Sequence, residues 1–156
     1  MMRRFNFLTK TLATFFSAGF FPLVPGTFAS LLGIILLFLI KGNSFIYGII
    51  AGVLVILGFI VAGRAERIFQ QKDCRYIVID EVAGMFLCLA FIPYNIRLLF
   101  VAFFLFRLLD TLKPFPAGRL QNLKGSPGIM LDDIVAAFYT NIILQIVLRL
   151  ASFKTS

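Results

Sequence analysis

Five of the seven acidic residues fall in three short stretches, Asp80 with Glu81, Asp110, and Asp132 with Asp133. Each stretch lies at the end of an apolar run. Carboxylates at membrane depth are costly, and several converging from different helices would repel one another unless cations neutralise them. A hard divalent ion such as Mg2+ is the natural partner of an all-oxygen ligand set, so the pattern points to a metal site. Taken singly, each acid could instead be a solvated charge at a helix end, where the dipole favours Asp near an N-terminus. Histidine is absent. Carboxylates are therefore left to serve as acid, base or ligand.

Arg107, Asp110 and Lys113 stand three residues apart and form one ladder of alternating charge if the segment is helical. Asp110 could then bind metal while Arg107 and Lys113 hold phosphate oxygens. The ladder could equally be a self-neutralising cluster that makes a buried Asp tolerable. Gly84, one turn after Glu81, leaves room for a ligand or for a neighbouring helix. Pro22 to Ser30 reads as a rigid turn leading into a helix with Thr27 as its N-cap, and free amides at such a start can hold phosphate. The loop Lys124-Gly125-Ser126-Pro127-Gly128 allows close backbone approach to a ligand, or only a turn. Cys74 and Cys88 are too few and too isolated for a disulfide framework or a paired-cysteine metal site.

The elements that position these groups follow from composition. Apolar residues make up 60% of the 156 positions and twenty residues are phenylalanine, well above roughly 45 to 50% apolar in a soluble domain. The segments are apolar around their whole circumference, so they face lipid rather than one soluble core. An all-α, polytopic membrane helix bundle with about five hydrophobic helices is expected, as a single domain over residues 1–156. The expected spans are Phe28 to Ile40, Phe45 to Gly63, Val82 to Ile92, Ile96 to Leu112 and Ile134 to Ala151. The third is short and would need tilting or local thinning of the bilayer. Arg64 to Arg75 reads as an amphipathic helix end followed by a loop, and Lys113 to Leu131 as a loop punctuated by proline and glycine.

The formal charge of +8 could suggest nucleic acid, but the basic residues sit mostly between apolar runs, where they act as topology signals and contacts for anionic head groups. A cytoplasmic amino terminus places Arg3, Arg4, Lys10, Arg64, Arg67, Lys72, Arg75, Lys113, Arg119 and Lys124 inside, and Lys41, Arg97 and Lys154 outside. The same assignment brings every polar motif to one membrane face. Residues Met1 to Gly19 superficially resemble a secretory signal, but Lys10 and several Thr and Ser interrupt the stretch, so that reading is set aside.

Three segments together carry a family resemblance: Pro22 to Ser30, Ile79 to Gly84, and Phe106 to Pro116 with Gly128 to Asp133. In order and spacing the chain resembles the phosphatidylglycerophosphatase A family from about Gly19 to Ala137. The resemblance implies a multi-pass enzyme of the bacterial inner membrane, its site facing the cytoplasm, that uses Mg2+ to remove the terminal phosphate of phosphatidylglycerophosphate. Its partners would be the membrane and an anionic phospholipid, not nucleic acid. Asp80, Glu81, Asp132 and Asp133 then stand as metal ligands or as the base that orients water, and Asp110 completes either set. Arg107 and Lys113 stand as phosphate contacts, and Thr27 as a hydrogen-bonding group in the wall of the site.

This chain departs from the family pattern at several points. Ala29 stands where glycine is usual, Ala137 replaces a glycine after the paired aspartates, and the loop around Gln121 lacks an acidic residue. Ser126-Pro127 occupies a place where a second glycine is common. The main acids are intact, so these changes bear on loop geometry and substrate preference. Two other activities could use clustered carboxylates in a membrane helix bundle. A CDP-alcohol phosphatidyltransferase would need an Asp-Gly, an Arg and two later aspartates along one stretch, and that arrangement is missing. A small divalent-cation transporter would use the same carboxylates near the midplane, but here they lie at span ends on one face.

Overall fold

The structure is a computed structural model that describes residues 2–40 and 43–153. Seven α-helices and no strand occur among the described residues. They are α1 (Met2–Ala13), α2 (Pro25–Leu39), α3 (Ser44–Phe69), α4 (Ile79–Cys88), α5 (Ile96–Leu112), α6 (Ala117–Leu120) and α7 (Ser126–Phe153), with a 3-10 turn at Ala18–Phe20 between α1 and α2. Lys41 and Lys154, two of the three basic residues expected outside, lie beyond the described residues.

By length and composition α3 and α7 can each cross a bilayer. Only 28% of the apolar window of α3 and 33% of that of α7 is buried. A core helix of a soluble protein would hide far more of itself. Outward-facing Ile49, Val53, Ile56, Ile60, Phe138, Ile142 and Ile146 are exposed along them, as lipid contact requires. The apolar helix α2 has 15 residues, α4 has 10 and α5 has 17.

Each boundary has a local cause. Asn43 caps α3 by accepting from the amides of Phe45 and Ile46, both at 3.1 Å, and Asn95 caps α5 by accepting from the Arg97 amide at 2.8 Å. The α3 helix runs past Gly63 through the charged turn to Phe69 and stops at Gln70, whose φ is 54°. Helix α5 keeps the boundaries expected of it.

Three expectations are corrected. Thr27 is not the N-cap of α2: Val24 occupies that place and the helix begins at Pro25, because the fixed φ and missing N–H of proline suit the first helical position. The segment Lys113 to Leu131 is not a loop throughout, since it holds α6 and the opening of α7. Pro127 acts as a first-turn residue there rather than a breaker, so α7 starts eight residues before the expected Ile134. Finally, α4 starts at Ile79 and ends at Cys88 rather than spanning Val82 to Ile92.

Ten residues of α4 rise about 15 Å, roughly half the hydrocarbon layer. Its terminal carbonyls are satisfied by side chains. Tyr47 on α3 donates its hydroxyl to the Phe86 carbonyl, and Asn141 on α7 donates to the carbonyls of Cys88 at 2.9 Å and Ala90 at 2.7 Å. Helix α4 is central, packed against α2, α3, α5 and α7. Its neighbours come close where glycine meets a large side chain: a β-carbon on Gly84 would stand 2.5 Å from the ring of Phe106, and one on Gly58 would stand 2.4 Å from Met130. Phe86, Phe106, Ile79, Met85 and Met130 are the largest fully buried side chains of this core. The amino ends of α2, α4 and α7 gather at one end of the bundle with the carboxyl ends of α3 and α5, as shown by the neighbours of Gly26, Gly63 and Lys113.

Candidate active site

Asp80 and Glu81 enter the site from the first turn of α4, and Asp132 and Asp133 from the second turn of α7. Arg107 and Asp110 stand on the last turns of α5, with Lys113 as its C-cap. All seven of these side chains, expected from sequence to act together, are gathered at that end of the bundle. Asp80, Asp132 and Asp133 are buried, with at most 8% of their surface exposed.

Asp80, Glu81 and Asp133 each offer a carboxylate oxygen, and the three oxygens lie within 4.8 Å of one another. At such separations each pair of like charges costs about 4 kcal/mol even at an effective dielectric constant of 20. Protons or a cation must offset that cost. Asp80 Oδ1, Glu81 Oε2, Asp132 Oδ1 and Asp133 Oδ2 are buried without hydrogen-bond partners among the described residues. Orphaned acceptors of this kind, in an all-oxygen set, are suited to a hard divalent cation. The donor set therefore fits a metal ion.

The fourth expected ligand is placed differently. Asp132 is not part of the three-oxygen cluster; its Oδ2 accepts from Lys113 Nζ at 2.6 Å, while Oδ1 has no hydrogen-bond partner among the described residues. Burial works to lower the Lys113 pKa, but the hydrogen bond to Asp132 and the nearby charges of Asp132, Asp110 and Asp133 outweigh it and hold the ammonium above the ordinary lysine value. Lys113 is thus a fixed positive charge at neutral pH.

Arg107 Nη1 lies 2.9 Å from Asp110 Oδ2, one turn along α5. The separation makes an ion pair, yet the N–H of Nη1 is not aligned on an acceptor, so this donor is available to something else. Asp110 also neighbours Asp133 across the α5–α7 contact. Arg107 reaches toward α2, where a β-carbon on Gly26 would stand 3.4 Å from Nη1 and 2.2 Å from Glu81 Oε1. Thr27 follows Gly26 in the first turn of α2, half-buried, and its hydroxyl has no hydrogen-bond partner among the described residues. Ser30 is engaged locally, donating to the Gly26 carbonyl at 2.9 Å.

The sequence, by its family resemblance, places Gly26 with Pro25 in the wall of the site but does not show that Glu81 rests against it, nor that Tyr47 and Asn141 hold the far end of α4. The signal of Tyr47 and Asn141 is only that of polar residues inside apolar runs, which in a bilayer mark a partner or a function. The arrangement as a whole sets three carboxylates, each with an unpartnered oxygen, beside two cations, one guanidinium and one ammonium. It can hold a divalent ion and, around it, an anion with several oxygens.

Comparison with known proteins agrees with this chemistry. The family model described as phosphatidylglycerophosphatase A matches residues 11–148. A Haemophilus influenzae protein named phosphatidylglycerophosphatase A is 37% identical, covering 85% of this chain and 84% of its own length. The Escherichia coli protein of the same name is 34% identical, covering 80% of this chain and 74% of its own. A Bacteroides thetaiotaomicron protein, provisionally named a phosphatidylinositol-3-phosphatase, is 32% identical over 93% of this chain and 96% of its own. No solved structure matches the chain significantly.

Proposed function

The chain belongs to the phosphatidylglycerophosphatase A family, and from that premise we propose that it hydrolyses the terminal phosphomonoester of phosphatidylglycerophosphate, giving phosphatidylglycerol and inorganic phosphate, with Mg2+ as its metal. As a family member it is a phosphatase. The observation that carries the finer reading is the cluster of three carboxylates, each with an unpartnered oxygen, flanked by Arg107 and Lys113.

Asp80, Glu81 and Asp133 would hold the divalent cation, which when bound supplies charge to offset a phosphate and polarises its oxygens. Arg107 and Lys113 contact the non-bridging phosphate oxygens, the guanidinium through the donor it leaves free. Asp132, with one oxygen on Lys113 and the other unpartnered, orients the attacking water and accepts its proton, with Asp110 completing the set. As water adds to phosphorus, the bond to the glycerol oxygen breaks and that oxygen takes up a proton. Thr27 lines the wall and offers a hydroxyl to the substrate.

We further propose that α2, α3, α4, α5 and α7 all lie within the membrane, in a bacterial inner membrane with the site facing the cytoplasm. The asymmetry of Lys and Arg supports this orientation. The short α4 would reach only part way across, its carbonyls closed by Tyr47 and Asn141 rather than by water.

One observation favours a second substrate of the same class. The Bacteroides relative matches almost from end to end and bears the name of an inositol-lipid phosphatase. Both lipids present a phosphomonoester on a polyol head group. The deciding experiment is phosphate release by the purified, lipid-supplemented protein from phosphatidylglycerophosphate and from phosphatidylinositol 3-phosphate, each with Mg2+ and with EDTA. Metal-dependent release from the first substrate in excess of the second is expected. The reverse preference would move the assignment to inositol lipids, and release untouched by EDTA would overturn the metal.

A further inference from the structure

A second cationic feature lies on the other flank of the α7 amino end, where α7 meets α3 rather than α4 and α5. The Gly63 amide donates to Ser126 Oγ at 2.7 Å, and a β-carbon on Gly63 would stand 2.6 Å from the Ser126 amide nitrogen. This contact brings the loop at Lys124 against the end of α3. Beside it opens a cleft of about 570 Å³ whose walls include Phe59, Ile60, Arg64, Arg67, Lys124 and Ser126. None of the acidic residues of the candidate active site lines it.

The cleft has a direction. Phe59 and Ile60 belong to the apolar run of α3, whereas Arg64 and Arg67 are the first charges after it. In a bilayer it therefore straddles the step from hydrocarbon to head groups, on the face that the basic residues mark as cytoplasmic. Its charges are available. Arg64 is exposed and only rests over the ring of Phe5, 5.3 Å from the centroid. Arg67 uses Nε on the Gly63 carbonyl at 3.2 Å, which leaves its other donors. Lys124 is exposed and forms no ion pair among the described residues. The single acid in the wall, Glu66, accepts from the Asp73 amide at 3.1 Å. A smaller cleft of about 340 Å³ shares Arg67 and Lys124 and continues the cationic strip to Lys72.

We propose that this cleft binds the phosphate of an anionic phospholipid head group, as a lipid site separate from the place of hydrolysis. Arg64, Arg67 and Lys124 against the single acid Glu66 leave the wall net positive at head-group depth, which attracts an anionic phosphodiester. Half-buried Phe59 and exposed Ile60, on the apolar run directly below these cations, match the start of an acyl chain. A free phosphate ion would use the cations but leave the apolar wall without a function, so the lipid is the occupant.

The test labels the full-length protein in vesicles with phosphatidylglycerol carrying a photoactivatable group high on its acyl chain, and maps the adducts by peptide mass spectrometry. Adducts on α3 around Phe59 and Ile60 are expected. They should fall about fivefold for each cation removed in R64Q, K124Q and the double variant. Adducts near Asp80 and Asp133 serve as an internal control and stay constant if the variants fold. Equal labelling by the matching phosphatidylcholine would overturn the proposal, as would labelling of α3 that persists undiminished in the double variant. Loss of the α3 adducts on adding inorganic phosphate, as complete as with unlabelled phosphatidylglycerol, would assign the cleft to free phosphate and overturn the lipid.

Discussion

Glu81 rests against Gly26: a β-carbon at position 26 would stand 2.2 Å from the carboxylate oxygen Oε1. The first turn of α2 thereby sets how far the α4 carboxylate can extend, and it does so with a residue that offers no chemistry of its own. The contact is backbone against the far end of a flexible side chain, so an alanine there displaces Glu81 rather than unfolding the helix.

G26A should therefore leave the protein folded and lower phosphatase activity by about a hundredfold, the scale expected when a catalytic group is moved by about 1 Å. Helical content and thermal midpoint in detergent, read beside activity, separate the two effects. Activity within a few-fold of wild type would show that Glu81 has other room, and would detach it from the reacting centre.

The three-carboxylate cluster carries an internal repulsion that a bound cation would relieve. Neutralising one member removes both the repulsion and a candidate ligand. D133N should raise the thermal midpoint in EDTA above that of the wild type, abolish activity, and shrink the stabilisation that added Mg2+ gives the wild type. Thermal melts with and without Mg2+ check this. A variant destabilised in EDTA, or one still stabilised by Mg2+ to the wild-type extent, would mean that Asp133 plays another part.

Lys113 and Asp132 join the end of α5 to α7 at 2.6 Å. The ammonium is held above the ordinary lysine pKa by this contact, so the stability it contributes is fully present below about pH 10.4, the unfolded lysine value. It is lost as pH rises through the higher folded pKa. K113M should lower the thermal midpoint at pH 8, and its deficit relative to wild type should narrow in strongly alkaline buffer. The deficit is expected to be modest, because the lysine is a quarter exposed. Activity should fall more than stability does, through loss of the proposed phosphate contact. A deficit that does not change with pH would detach the stabilisation from the charge.

Much of the site was legible in the sequence because charge inside an apolar chain is informative. Asp80, Glu81, Asp110, Asp132 and Asp133 stood out at run ends, and Arg107 and Lys113 lay at helical spacing from Asp110. All seven are gathered at one end of the bundle. How Asp80, Glu81, Asp132 and Asp133 divide between holding a metal and orienting water was less readable, since it depends on which acid meets Lys113, a contact 19 residues away in sequence. Boundaries failed where proline was read as a breaker: Pro25 and Pro127 each open a helix, which moved Thr27 inside α2 and extended α7 backward over the glycine-rich loop. In sequence the amphipathic α1 shows only as an interrupted apolar stretch. Its exposed Arg3, Arg4, Phe5 and Phe7 suit the plane of an interface rather than a span.

The early stop of α4 was not legible at all, and it leads to the last prediction. With α4 in the bilayer as proposed, a helix that stops at Cys88 leaves carbonyls that water would not reach. Asn141 meets two of them, at Cys88 and Ala90, and is itself fixed by Gln145, whose amide donates to its oxygen at 2.8 Å. Removing the donor leaves both acceptors bare. N141L, close in volume, should therefore cost about 1–2 kcal/mol of stability, the upper range for such bonds in membranes. Because α4 also carries Asp80 and Glu81 at its other end, a shift along its axis would move both carboxylates together. Activity should then fall roughly tenfold or more, with weaker stabilisation by Mg2+ as the accompanying sign. N141Q, which keeps an amide of greater reach, should recover part of both. If N141L loses stability while Mg2+ stabilisation and turnover stay at wild-type levels, the far end of α4 does not set the position of its carboxylates, and Asn141 acts on the fold alone.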